Sequence, residues 1–140
     1  MSPFRPSTPT FTKADAWKKG TAFALEAPGP QPPRLAVFED NGETGYFYAV
    51  DAPEGRSPEI VDGVFLYTVD PEASQQEDIA EVRWSADGER AVLLLGGIPE
   101  AAFDFGRQRG YGRTSSPSAT NGPWPLHEHV WDASVLAGLE

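Results

Sequence analysis

The sequence predicts a mainly β protein, a curled antiparallel meander sheet with a short C-terminal helix. Three observations carry this. Residues 79–113, IAEVRWSADGERAVLLLGGIPEAAFDFGRQRGYGR, read as three or four consecutive strands joined by tight turns. Asp40-Asn41-Gly42-Glu43 lies between two strand-like runs, and Asn-Gly accepts the two positive φ angles of a hairpin turn. Fourteen glycines and 14 prolines in 140 residues punctuate the chain too often for long helices.

Taken in order, residues 1–12 mix Pro, Ser and Thr with Phe4 and Phe11 and read as an extended arm. Asp15 to Gly20 reads as one helical turn, capped by Asp15 and stopped by Gly20. Thr21 to Ala27 suits a first strand. Pro28-Gly29-Pro30-Gln31-Pro32-Pro33 then reads as an extended connector, because proline fixes φ and lacks the N–H a ladder needs. The expected organisation is therefore an arm and proline-rich connector over residues 1–33 and one β-rich domain over 34–140.

Within that domain Leu35–Glu39 and Tyr46–Asp51 flank the Asn-Gly turn, with Tyr46, Tyr48 and Val50 on one face and Phe47 and Ala49 on the other. Val64–Val69 is apolar on both faces. Residues 72–78 form an acidic loop or helical turn. Ala80, Val82 and Trp84 alternate with Glu81, Arg83 and Ser85, so Trp84 belongs to a buried face. Ser85-Ala86-Asp87-Gly88 has turn chemistry. Ala91 to Leu95 is apolar at every position and reads as a central strand. Ala101, Phe103 and Phe105 alternate next, and Tyr111 sits in a last short segment. Trp-Ser-x-Asp-Gly before an apolar strand is also the pattern of a propeller blade, but one copy in 140 residues excludes a complete propeller. Residues 113–125 are loop-like. Asp132 can cap a tail helix, with Trp131 and Leu136 at staple positions.

Charge bounds the function. The chain carries net −10, unevenly spread: residues 34–104 hold 16 acids against four arginines, net −12. Such a field repels nucleic-acid phosphates and favours a basic protein partner. There is no cysteine, hence no disulfide framework and no thiolate chemistry. No apolar run approaches the roughly 20 residues of a membrane helix, and the first residues lack the apolar core of a signal peptide. The expectation is a cytoplasmic protein that binds neither membrane nor nucleic acid.

Candidate sites are few. Glu39, Asp40 and Glu43 cluster at the hairpin turn and are the expected partner-binding residues. Arg107, Arg109 and Arg113 surround Gly110-Tyr111-Gly112, and arginines interleaved with an aromatic ring can grip a phosphate or a stacked base. Asp104, in an apolar strand, needs one of those arginines as its partner. His127-Glu128-His129 places two imidazoles on one face of an extended strand. A third metal ligand would have to come from far along the chain, so the plainer role is a surface or hydrogen-bonding one and no metal is assigned. No Gly-x-Ser-x-Gly elbow, P-loop or dinucleotide fingerprint occurs, and no catalytic residue or cofactor is assigned.

Two stretches, Leu35 to Asp51 (LAVFEDNGETGYFYAVD) and Ala101-Ala102-Phe103-Asp104-Phe105 with Gly110-Tyr111-Gly112-Arg113-Thr114, resemble a family of small bacterial proteins known only as a domain of unknown function. The likeness covers about residues 34–114. It implies a bacterial origin and a compact β-rich domain, and it transfers no active-site residue. The expected function is an acidic protein-binding module, such as an immunity-type inhibitor of a basic toxin. The alternative is a small-ligand binder or enzyme working through the arginine loop, 107–113.

Overall fold

The chain crosses between two sheets and back. In the computed structural model, which describes residues 11–73, 75–114, 116–117 and 122–139, strand β1 (Phe11–Lys18) belongs to one sheet. The next four strands, β2 (Phe23–Pro28), β3 (Arg34–Asp40), β4 (Thr44–Asp51) and β5 (Glu59–Thr68), form a second sheet as consecutive antiparallel hairpins. The chain then returns to the first. Strands β6 (Glu77–Trp84), β7 (Arg90–Leu95), β8 (Ile98–Asp104) and β9 (Arg109–Gly112) complete a five-stranded antiparallel sheet in the order β1-β6-β7-β8-β9. A two-residue ladder pairs β10 (Ser116–Pro117) with β11 (Glu128–His129).

The fold is mainly β and antiparallel, as the sequence predicts, with its strands divided between two sheets. Alternation decides what lies between them. From the four-stranded sheet Leu25, Ala36, Phe38, Phe47 and Val64 point inward. From the five-stranded sheet Ala80, Val82, Trp84, Leu93 and Phe103 meet them. Phe47 and Phe103 stack across the gap with centroids 4.9 Å apart. Trp84, only 1% exposed, donates its indole N–H to the Ala27 carbonyl oxygen at 2.8 Å, so it packs and pins the two sheets together.

Several local expectations are corrected. Asp15 to Gly20 is not a helical turn. Residues 11–18 pair antiparallel with β6, from Phe11 opposite Trp84 to Lys18 opposite Glu77. Residues 11–16 are exposed on both faces alike, so the strand lacks the period-two signal. The arm and connector expected over residues 1–33 thus contain two strands, and residues 29–33 are the turn of the β2–β3 hairpin. Phe11 is 50% exposed and undocked, while Phe4 lies outside the described residues. The expected C-terminal helix is a single 3₁₀ turn, Ala133–Leu136. Asp132 caps it as predicted, accepting from Ser134 N at 3.0 Å, but Gly138 at φ 79° ends it.

That turn lies on the outer face of the five-stranded sheet. Val135 and Leu139 pack on Val92, Leu94, Ala102 and Tyr111 as a second, smaller core. Arg83 and Arg90 reach up from the sheet to the Leu139 and Val135 carbonyl oxygens, at 3.0 and 2.9 Å.

Candidate functional site

The Asn-Gly hairpin forms where the sequence places it, with Gly42 at φ 95°. Its three acids, however, do not act together. Glu39 and Glu43 are exposed, but Asp40 is only 1% exposed. Its carboxylate accepts from Gly42 N (2.7 Å), the Tyr67 hydroxyl (2.7 Å), Gly20 N (2.8 Å) and, more weakly, Trp17 Nε1 (3.4 Å). Burial alone would raise its pKa. The hydrogen bonds from Gly20, Tyr67, Gly42 and Trp17 outweigh burial and hold it below 3.8. Asp40 therefore ties β1, β3 and β5 together and is removed from the partner-binding set. Burial, and then the bond to Asp40, pushes the Tyr67 hydroxyl above its usual 10.

The arginine loop is also dispersed. Tyr111 is 8% exposed, with its ring in the second core, which withdraws it from any stacking role. Arg107 turns back to Asp104, Nε to Oδ2 at 3.7 Å, and supplies the partner that a carboxylate in that strand needs. Arg113 lies over the Trp131 ring at 4.7 Å and donates to the Pro99 carbonyl. Arg109 is exposed at the start of β9.

The outer face of the four-stranded sheet is different. Register puts Glu26 beside Val37, Val37 beside Tyr48, Glu39 beside Tyr46 and Tyr46 beside Phe65, all pointing away from the core. Tyr46 and Tyr48 stack at 5.6 Å, and Phe65 meets Tyr46 edge-on at 6.0 Å. These rings and Val37 stay half-buried, and Glu26 and Glu39 are exposed. The Tyr48 hydroxyl is pushed above its usual 10 by burial first and by the Glu39 charge second. The result is an aromatic patch bordered by carboxylates. Alternation in the sequence places Tyr46 and Tyr48 on one side of the hairpin. It does not bring in Phe65 of β5 and Glu26 of β2, because their places depend on register.

The histidines sit elsewhere, at the seam where edge strands β5 and β9 face one another. The missing third donor is Asp62 of β5, 2% exposed. His129 Nε2 lies 3.0 and 3.2 Å from its two carboxylate oxygens, and His127 Nε2 lies 3.7 Å from Oδ2. His127 Nδ1 is 2.7 Å from the Pro125 carbonyl oxygen, and Gly110 N donates to its Nε2 at 2.9 Å. His127 is therefore the Nδ1–H tautomer, with its lone pair on Nε2. Gly110 is required here, since a Cβ would lie 2.6 Å from Asp62 Oδ2 and 2.9 Å from His129 Cδ2. Of the surface or hydrogen-bonding role expected of the histidines, the hydrogen bonds are present, but both side chains are buried rather than on the surface. Asp62 escapes a reading of the sequence because Val-Asp-Gly-Val has the composition of a turn, whereas it lies inside β5 beside a bulge between Ala49 and Val50.

Comparison with known proteins supplies no assigned site. No solved structure matches the chain. An uncharacterized protein of Haemophilus influenzae (strain Rd) is 44% identical over 82 residues, 58% of this chain and 50% of that protein. The chain thus spans about half the length of the curated relative it matches. The family model for DUF2251, described as an uncharacterized protein conserved in bacteria, matches residues 17–140, and the chain belongs to that family.

Proposed function

We propose that the protein is a binding module that docks a basic protein partner on the outer face of its four-stranded sheet. The observation that carries this is the patch of Val37, Tyr46, Tyr48 and Phe65, bordered by Glu26 and Glu39 with no lysine or arginine on the facing positions named above. Half-buried tyrosines offer large contact area at low entropic cost, and their ring faces attract lysine and arginine side chains. The two glutamates select for such side chains, and the net −12 over residues 34–104 steers their approach. A basic toxin neutralised by an immunity-type inhibitor is one partner with this chemistry. Among the described residues no helix is long and apolar enough to cross a membrane.

The test places a photo-crosslinking amino acid at position 48 and, as a control, at position 109 on the other sheet. The expected result is one partner captured from position 48 alone. Its association rate should fall as salt shortens the Debye length from about 10 Å at 0.1 M to about 3 Å at 1 M. Capture from position 109 alone, or binding indifferent to salt, would remove the reading.

A further inference from the structure

We infer that Asp62, His127 and His129 form a site for a divalent transition-metal ion of the zinc type. The donor set is two imidazole nitrogens and one carboxylate, the set that holds such ions with one coordination position left open. One ligand atom from each residue lies within 4.8 Å of the other two. Donors about 2.1 Å from a tetrahedral ion lie about 3.4 Å apart, and the separations of 3.0 and 3.7 Å straddle that value. The third edge, between the two imidazole nitrogens, is no longer than 4.8 Å, and the rings meet edge-on with centroids 4.9 Å apart.

Three further features suit the ion. The Nδ1–H of His127 is committed to the Pro125 carbonyl, which fixes the ring and leaves the nitrogen facing Asp62 as the basic one, the usual support of a ligating histidine. Gly110 leaves the space a Cβ would fill beside both Asp62 and His129. Asp62 and His129 are at most 2% exposed, so the ion would sit in a dry environment, entered past His127, whose side chain is 7% exposed. His129 Nδ1 is buried with no hydrogen-bond partner among the described residues, so this ring lacks the acceptor that His127 has in Pro125. The competitor is the Gly110 N–H, now on His127 Nε2. The ion displaces it, and the proton of a neutral His129 passes from Nε2 to Nδ1.

The experiment strips the protein with a chelator and titrates it with Zn²⁺, using a competing chromophoric chelator, and with Co²⁺, followed by visible absorption. The expected result is one equivalent bound per chain and intense cobalt bands of a low-coordinate N/O site. His127→Gln should weaken Zn²⁺ at least about 10-fold, as even lost second-shell support of a ligand does. Asp62→Asn, whose amide keeps the shape of the carboxylate, should do the same. His129 is fully buried and is left intact in both variants. Failure of the unsubstituted protein to bind one equivalent overturns the proposal, as does undiminished affinity in His127→Gln and Asp62→Asn proteins that remain folded by circular dichroism.

Discussion

The two sheets treat their outer faces in opposite ways. On the five-stranded sheet the outward residues Val92, Leu94, Ala102 and Tyr111 are covered by the chain's own segment 131–139, and Arg83 and Arg90 hold that segment by its carbonyls. On the four-stranded sheet Val37, Tyr46, Tyr48 and Phe65 also offer apolar surface but remain half-exposed. The difference lies in composition. A face made mostly of aliphatics needs burial. A face of stacked tyrosines edged with glutamate tolerates water and keeps its area for a second molecule.

The largest test of this contrast disturbs the interior both faces share. Trp84→Ala removes a fully buried ring and its bond to Ala27, and should cost about 3–5 kcal/mol by chemical denaturation. A loss under about 1 kcal/mol would mean that the sheets do not depend on one interior. Truncation after residue 130 comes next. It uncovers the five-stranded face and forfeits the burial of Val135 and Leu139, about 2–4 kcal/mol on area grounds. A denaturation midpoint that stays put would erase the distinction between a covered and an open face.

The hairpin under the open face is held by Asp40, which gives a smaller, pH-dependent effect. Its folded-state pKa is depressed, so its contribution is present above the ordinary value of 3.8 and is lost as pH falls below that value through the folded one. Asp40→Asn, which turns an N–H₂ toward donors, should cost about 1–3 kcal/mol at neutral pH and flatten that acid limb in pH-dependent unfolding. Smallest is Glu39→Lys on the open face itself. It should change stability by no more than about 0.5 kcal/mol, yet slow association with the partner, measured by stopped flow at low salt. A large stability change there would recast the patch as structural.

What the sequence discloses follows from how local each signal is. The Asn-Gly hairpin, the alternation around Trp84 and the Asp132 cap are fixed by neighbours within a few residues, and all three hold. Strand β1 resembles a helical turn because Lys13, Asp15 and Lys18 give an edge strand no period; only pairing with β6 makes it a strand. Asp40 looks like a solvent-facing turn carboxylate because its donors Trp17, Gly20 and Tyr67 lie 20 residues or more away. The histidine pair is legible, but its third member is not, since Asp62 meets it only where β5 and β9 converge.

The switch between sheets also separates near pairings from distant ones. Strands β2 to β5 pair each with its successor, so their ladders join residues close in the chain. Strand β1 does not, because its partner β6 begins at Glu77. Until β6 is made, β1 has no partner and its backbone is open to any neighbour. The exposed charges of Lys13, Asp15 and Lys18 repel such strangers during the wait. The charges that hide β1 from a reader of the sequence thus act as its guard before folding is complete.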